Sequence, residues 1–168
     1  MPTDRPEREK GLSTEVETAK RPRPWWLLLL PISYLLHLGE EWWGGEGFAE
    51  WTARAVGSPV STTRFLVLNS IVWPVFSLLT VAAILRPRLA WFPATFATVV
   101  LVNATLHALG TVATSSYSPG LVTGLLLYLP VGTAALSFVR RVVTPRSFLL
   151  AVLLGILIHS FVVVLAFA

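Results

Sequence analysis

Apolar residues in this chain do not alternate with polar ones at a strand or surface-helix period. They come in long blocks separated by short polar or charged punctuation. Blocks close to the roughly 20 residues that a bilayer core requires predict transmembrane helices. The first covers residues 25–44 and is bracketed by Trp25/Trp26 and Trp42/Trp43. These pairs stand roughly 25 Å apart along a helix and read as two aromatic belts. A second block, 65–85, stops at Arg86-Pro87-Arg88. From there to Arg140 no charge occurs, a stretch of roughly 75 Å if helical, so the chain must fold back once. Ser115-Ser116-Tyr117-Ser118-Pro119-Gly120 marks that turn, with Pro119 suited to the first turn of the next helix. Spans at 89–114, 119–139 and 147–168 complete an all-α bundle of five transmembrane helices.

Residues 1–24 mix charges with Pro, Thr and Ser and show no apolar periodicity, which predicts a disordered cytoplasmic tail. That polar stretch is too long for a signal peptide, and no small-residue cleavage site follows the apolar block. With the N-terminus inside and the C-terminus outside, 11 of the 13 Lys and Arg residues fall in the cytoplasm, leaving Arg54 and Arg64 outside. This is a strong positive-inside bias. Between the first two spans, Phe48, Trp51 and Val56 predict a short interfacial helix with these side chains at headgroup depth.

Composition agrees: 54% of the residues are hydrophobic and 13% charged, and the mean hydropathy is +0.69. A multi-pass protein of the cell (inner or plasma) membrane is expected. Cysteine is absent, which excludes thiolate metal sites, iron–sulfur clusters, disulfides and Cys nucleophiles. The net charge of +4 does not signal nucleic acid, because the basic residues flank apolar runs instead of lining one face. No serine-nucleophile, phosphate-loop or dinucleotide motif is present.

Acidic residues are the informative minority. Five of the nine lie in the tail, Glu40, Glu41, Glu46 and Glu50 crowd against the first block, and none follows residue 50. In the alternating topology the first, third and fifth helices run parallel. His37, Asn103 and His159 then lie roughly 18–21 Å, and Glu40, Glu41 and His107 roughly 23–27 Å, from the cytoplasmic ends, all in the outer half. An intramembrane acid costs about 2.5–3.5 kcal/mol on insertion scales and normally meets a partner. Glu40 and Glu41 stand three and four residues after His37 and flank its imidazole, while Asn103 and His107 share a face of the third helix.

This layer predicts a metal site with His37, His107 and His159 as imidazole ligands. Glu40 or Glu41 is a further ligand, and the other serves as general base or second-metal ligand. Zinc, iron or manganese fits the donor types. A proton or ion pathway through the same groups, or a hydrogen-bond network that only staples the helices, are the alternatives. Asn103 is a candidate for catalysis or for orienting His107. Asn69, Tyr117 and Thr123 lie near the outer mouth as candidate substrate or supporting contacts, although interhelical hydrogen bonding is the favoured role for Asn69 and an interfacial anchor the usual one for a tyrosine such as Tyr117. Gly120, Gly124, Tyr128 and Gly132 recur every fourth residue, a small-residue stripe for close helix packing and a candidate homodimer face. Pro31, Pro74 and Pro130 interrupt helices, where kinks open cavities.

The pentad His37-Leu38-Gly39-Glu40-Glu41 resembles the signature of the HXXEE-domain proteins, small bacterial membrane proteins named for that motif and without an assigned activity. Asn103 with His107, the segment Tyr117–Thr123 and His159 are also similar to that family's pattern, over about residues 30–165. The resemblance implies a family and a polar site, not a reaction. The residues themselves point to a metal-dependent membrane enzyme, hydrolytic or redox, that draws a lipid-like or otherwise apolar substrate from the bilayer or the outer face. A proton or metal-ion transporter or sensor, or a structural membrane subunit, are the competing classes.

Overall fold

In the computed structural model, residues 23–167 are described. The predicted tail therefore lies, through residue 22, outside the described residues. Those that are described form helices joined by short loops, and no strand occurs among them.

The first segment begins with a 3-10 stretch, Trp25–Leu28, that runs into α1, Leu29–Trp43. Gly44 ends α1 with its N–H on the Glu40 carbonyl. Next comes α2, Phe48–Trp51, which widens into a π segment over Thr52–Val56 and closes at the left-handed Gly57. Ser61 caps α3, Thr62–Leu85, by accepting from the Arg64 N–H. A 3-10 turn at Pro87–Leu89 leads into α4, Phe92–Thr114. The fourth long helix, α5, runs from Leu121 to Val142, and α6 runs from Pro145 to Phe167.

Four of these segments, Thr62–Leu85, Pro87–Thr114, Leu121–Val142 and Pro145–Phe167, are long and apolar enough to cross a membrane. Their ends differ from the predicted ones by a few residues, for identifiable reasons. Ser61 starts the second span earlier than the apolar block does. Pro119 and Gly120 belong to the turn and not to α5, because Gly120 adopts φ 105°, which a helix cannot use. The 15-residue α1 is shorter than a full crossing, since its first turn is drawn out as 3-10.

The helix α4 is the hub. It packs most extensively on α5 and α6, and from Phe92 to Val100 every residue is buried. Phe96, Val100, Tyr128, Leu30 and Phe76 form the centre of the core. By contrast Leu78, Leu126, Leu157 and Val164 are more than 60% exposed, an outward face suited to hydrocarbon and not to water.

Glycines let the helices approach. Gly124 lies against Ala104, and Gly132 against the Leu101 side chain. The small-residue stripe is thus filled by α4 of the same chain, and the face expected to serve a homodimer is not free for a second copy. Pro130 explains the π segment Gly124–Tyr128 in α5: it lacks the N–H that would bond to Leu126, and its ring crowds that carbonyl, so the turn just upstream widens.

At the α4–α6 crossing Thr95 donates to the Ala151 carbonyl at 3.0 Å. A Cβ on Gly155 would stand 2.6 Å from the Thr98 Cβ and 2.7 Å from the Thr95 carbonyl oxygen. Because backbone cannot yield as a flexible side chain does, Gly155→Ala should destabilise the fold by about 1–3 kcal/mol. Thermal unfolding in detergent checks this. Gly39→Ala, whose Cβ would make only ordinary contacts with Trp43 at 3.6 Å, is the control and should leave stability unchanged or raise it by up to about 1 kcal/mol, since alanine suits a helix interior better than glycine.

Candidate metal centre

The C-terminal end of α1, the C-terminal half of α4 and the N-terminal end of α5 meet at one end of the bundle. Helical spacing puts His37 and Glu41 on one face of α1, four residues apart and both buried. Facing them from α4 is His107, also buried. The Glu41 Oε1 atom stands 3.1 Å from His107 Nε2 and 3.5 Å from His37 Nε2. One ligand atom from each of the three residues fits within 4.8 Å of the others. Donors bound to a zinc-like ion at about 2.0–2.2 Å stand roughly 3–3.5 Å apart, so this group could hold a metal ion with small adjustment.

Each imidazole is held from behind through Nδ1. His37 Nδ1 is 2.8 Å from Thr123 Oγ1, and His107 Nδ1 is 2.9 Å from Ser118 Oγ. The rings meet edge to face with centroids 5.1 Å apart, and Tyr128 stacks on His37 at 4.3 Å. His37 Nε2 is buried without a hydrogen-bond partner. His107 Nε2, by contrast, bonds to Glu41 Oε1 at 3.1 Å. A hydroxyl group behind each ring, with the other ring nitrogen turned to a shared carboxylate, is the pattern in which protein metal sites orient histidine ligands.

The two glutamates are not equivalent. Glu41 turns inward, whereas Glu40 turns to the start of α5. Oε1 of Glu40 accepts from the Tyr117 hydroxyl and, at 2.9 Å, from the Val122 N–H. Its Oε2 accepts from the Thr123 hydroxyl and, at 2.6 Å, from the Thr123 N–H. Four donors occupy the carboxylate at a helix N-terminus, where the unpaired N–H groups and the helix dipole favour an anion. The near-symmetry of Glu40 and Glu41 about His37 that spacing suggests is broken by these four donors. Burial, and then the bond to Glu40, raise the Tyr117 hydroxyl to about 12, so it stays a donor at neutral pH.

The site opens into a cavity of about 420 Å³ between α3, α4 and α6, covered by α2. His159 and Asn103 line it with His37, Glu41 and His107, so all three histidines meet one space. The three-residue group that could take a metal, however, contains neither His159 nor Glu40. Asn103 Oδ1 is buried with no partner. Asn69 also lines the cavity, but its amide is engaged, accepting from Tyr34 at 2.6 Å and donating to the Phe65 carbonyl at 2.8 Å.

The segment after α1 is not a passive interfacial helix. Val56 is exposed, but Trp51 is buried, donates to Ser116 Oγ at 3.0 Å and presses on Gly110. Phe48 packs on His107 and Phe65. Outside the bundle Glu46 pairs with Arg54, and the hydrogen bonds and charge of that guanidinium lower the Glu46 carboxyl. Spacing alone gave no sign that Trp51 would turn inward. Ser118 and Tyr128 were also missed as site residues, although Ser118 sits in the turn already singled out and Tyr128 in the small-residue stripe.

The geometry thus defines an all-helical protein with four helices long and apolar enough to cross a membrane and a buried His/Glu/His cluster at one end of the bundle. A family described as "protein of unknown function with HXXEE motif" matches residues 28–135, and the chain belongs to it. No curated protein and no solved structure matches the chain.

Gly120 covers the two imidazoles. A Cβ there would stand 2.7 Å from His107 Cε1 and 2.8 Å from His37 Cε1, at a backbone φ of 105°. Gly120→Ala should therefore destabilise the protein by about 2 kcal/mol or more, from backbone strain and ring displacement together, as read by unfolding in detergent.

Proposed function

We propose that the chain is a metal-dependent enzyme of the cell membrane acting on a lipid-like or apolar substrate, with His37, Glu41 and His107 as the metal ligands. The observation that carries this reading is the buried, unpartnered His37 Nε2, turned with the His107 imidazole toward one carboxylate at the end of a largely apolar cavity. Two nitrogen donors and an oxygen donor suit zinc, iron or manganese. A metal there would supply Lewis acidity and a lowered water pKa, or a redox centre. Of the two glutamates, Glu41 takes the ligand role, because the Glu40 carboxylate is already occupied by its four donors. Asn103 Oδ1, one helical turn before His107, is placed to accept from a substrate's polar end. His159 is the third imidazole available to the same space.

A carrier of protons or metal ions would need a polar path onward from the site. The core below it consists of Phe76, Phe92, Phe96 and Val100, which favours chemistry over passage. We place the N-terminus inside, the C-terminus outside and the site in the outer half of the bilayer. In this arrangement the 3-10 stretch and α1 together cross as a fifth span, about 30 Å long by their helical rises.

Elemental analysis of detergent-purified protein tests the metal. About one divalent ion per folded chain is expected, lost in His37→Ala and in Glu41→Gln, and a folded wild type without metal overturns the proposal. Incubating metal-loaded and chelated protein with membrane lipid extract, followed by mass spectrometry, tests the chemistry: a product that only the loaded protein makes is expected. Topology has a separate check. A C-terminal reporter should be active only outside the cytoplasm, and a cytoplasmic one refutes the five-span arrangement.

A further inference from the structure

Glu40 is adjacent to the candidate ligand Glu41, accepts from four donors that leave its carboxylate acting only as an acceptor, and takes no part in the cluster that could hold a metal. Its four donors, from Tyr117, Val122 and Thr123, explain how the start of α5 is fixed. They also have a consequence inside the site. An ionised carboxylate only accepts hydrogen bonds, and a threonine hydroxyl has a single proton. Thr123 gives that proton to Glu40 Oε2. Toward His37, 2.8 Å away on its other side, the same oxygen can only accept. His37 Nδ1 must therefore carry the ring proton, and in the neutral imidazole Nε2 is bare.

We propose that Glu40 and Thr123 form a positioning relay that holds His37 in the tautomer with Nε2 free. Glu40 thus serves the centre through Thr123, without touching a ligand atom. The orphaned Nε2 is the other end of the same chain: it faces the Glu41 carboxylate at 3.5 Å without hydrogen-bond geometry. His107 is set the other way: its Nε2 donates to Glu41 Oε1 at 3.1 Å, and Nδ1 accepts from the Ser118 hydroxyl. Among the described residues Ser118 Oγ bonds only to that nitrogen, so it can turn to accept instead once Nε2 gives up its proton. The inference deepens the metal reading and rests on it for its purpose, but the tautomer exists without metal and can be read without it.

The test uses the full chain labelled with 15N-histidine, metal-free in detergent micelles, at a pH where the imidazoles are neutral. His37→Gln assigns the signal, and nitrogen shifts distinguish protonated from bare ring positions. In the wild type and in Thr123→Ser, His37 should carry its proton on Nδ1 and show a bare Nε2. Thr123→Val and Glu40→Ala should populate both tautomers, a change that a purely structural role for either residue would not produce. In zinc competition against a chelator, Thr123→Val should weaken binding about 10- to 100-fold, with Thr123→Ser near wild type. A wild-type His37 protonated on Nε2, whether as the other tautomer or as imidazolium, overturns the relay. So does a Thr123→Val protein whose His37 tautomer is unchanged. Should the valine variant not fold, the wild-type and serine spectra still decide. Failure to bind zinc with the tautomer as expected refutes the metal proposal and leaves the relay standing.

Discussion

A carboxylate in an apolar bundle must find partners or give up its charge, and this constraint organises the end of the bundle where α1, α4 and α5 meet. Burying an unpaired ion costs several kcal/mol even after relaxation. Glu40 and Glu41 meet that demand in opposite ways. Glu40 gathers four neutral donors at the start of α5, so every near lone pair is used. Glu41 has two imidazole nitrogens within 3.5 Å of one oxygen. The first arrangement is closed; the second leaves capacity for a cation, because Glu41 is bonded by His107 Nε2 alone and the His37 Nε2 beside it is unpartnered.

The rise and turn of a helix make this division possible. Consecutive residues on α1 point about 100° apart, so two adjacent acids cannot share one environment. The residue four after His37 shares its face and enters the cluster, and the next-door residue turns toward α5. The turn Ser115–Gly120 completes both environments. It supplies Ser118 to His107 and Tyr117 to Glu40, and through Gly120 it lets the backbone lie over the two rings. Any side chain at 120 would occupy the space that the imidazoles need.

Much of this was legible in the sequence because long apolar helices announce themselves as uninterrupted apolar blocks, and because ionisable groups are rare enough within them to be compared by position along each helix. The four long helices, the fold-back near Ser115 and the meeting of His37, His107 and His159 around one cavity all follow from counting along helices. Counting could not show which way a side chain turns about its helix axis. The difference between Glu40 and Glu41 depends on where α5 begins, and Gly120 sets that start two residues beyond Pro119. Trp51 looked like an interfacial anchor because its apolar neighbours are those of an interfacial helix, yet its indole N–H finds Ser116 on another segment. The glycine stripe was correctly a packing surface, but periodicity does not say whether the partner helix belongs to the same chain. Here Ala104 and Leu101 of α4 fill it.

The same helix that fills the stripe also carries His107, and this ties the stability of the bundle to the geometry of the site. Residues Phe92 to Val100 are buried among α5, α6 and the core, which leaves α4 little freedom to slide or rotate. Its later half, from Asn103 to Gly110, borders the cavity instead. One end of α4 is therefore a fixed post and the other a wall with open space beside it. His107, mounted there, keeps its position from packing below and its ring orientation from Ser118 above. Tight helix contacts through Gly124, Gly132 and Gly155 hold the cluster in place, while a largely apolar cavity opens beside it.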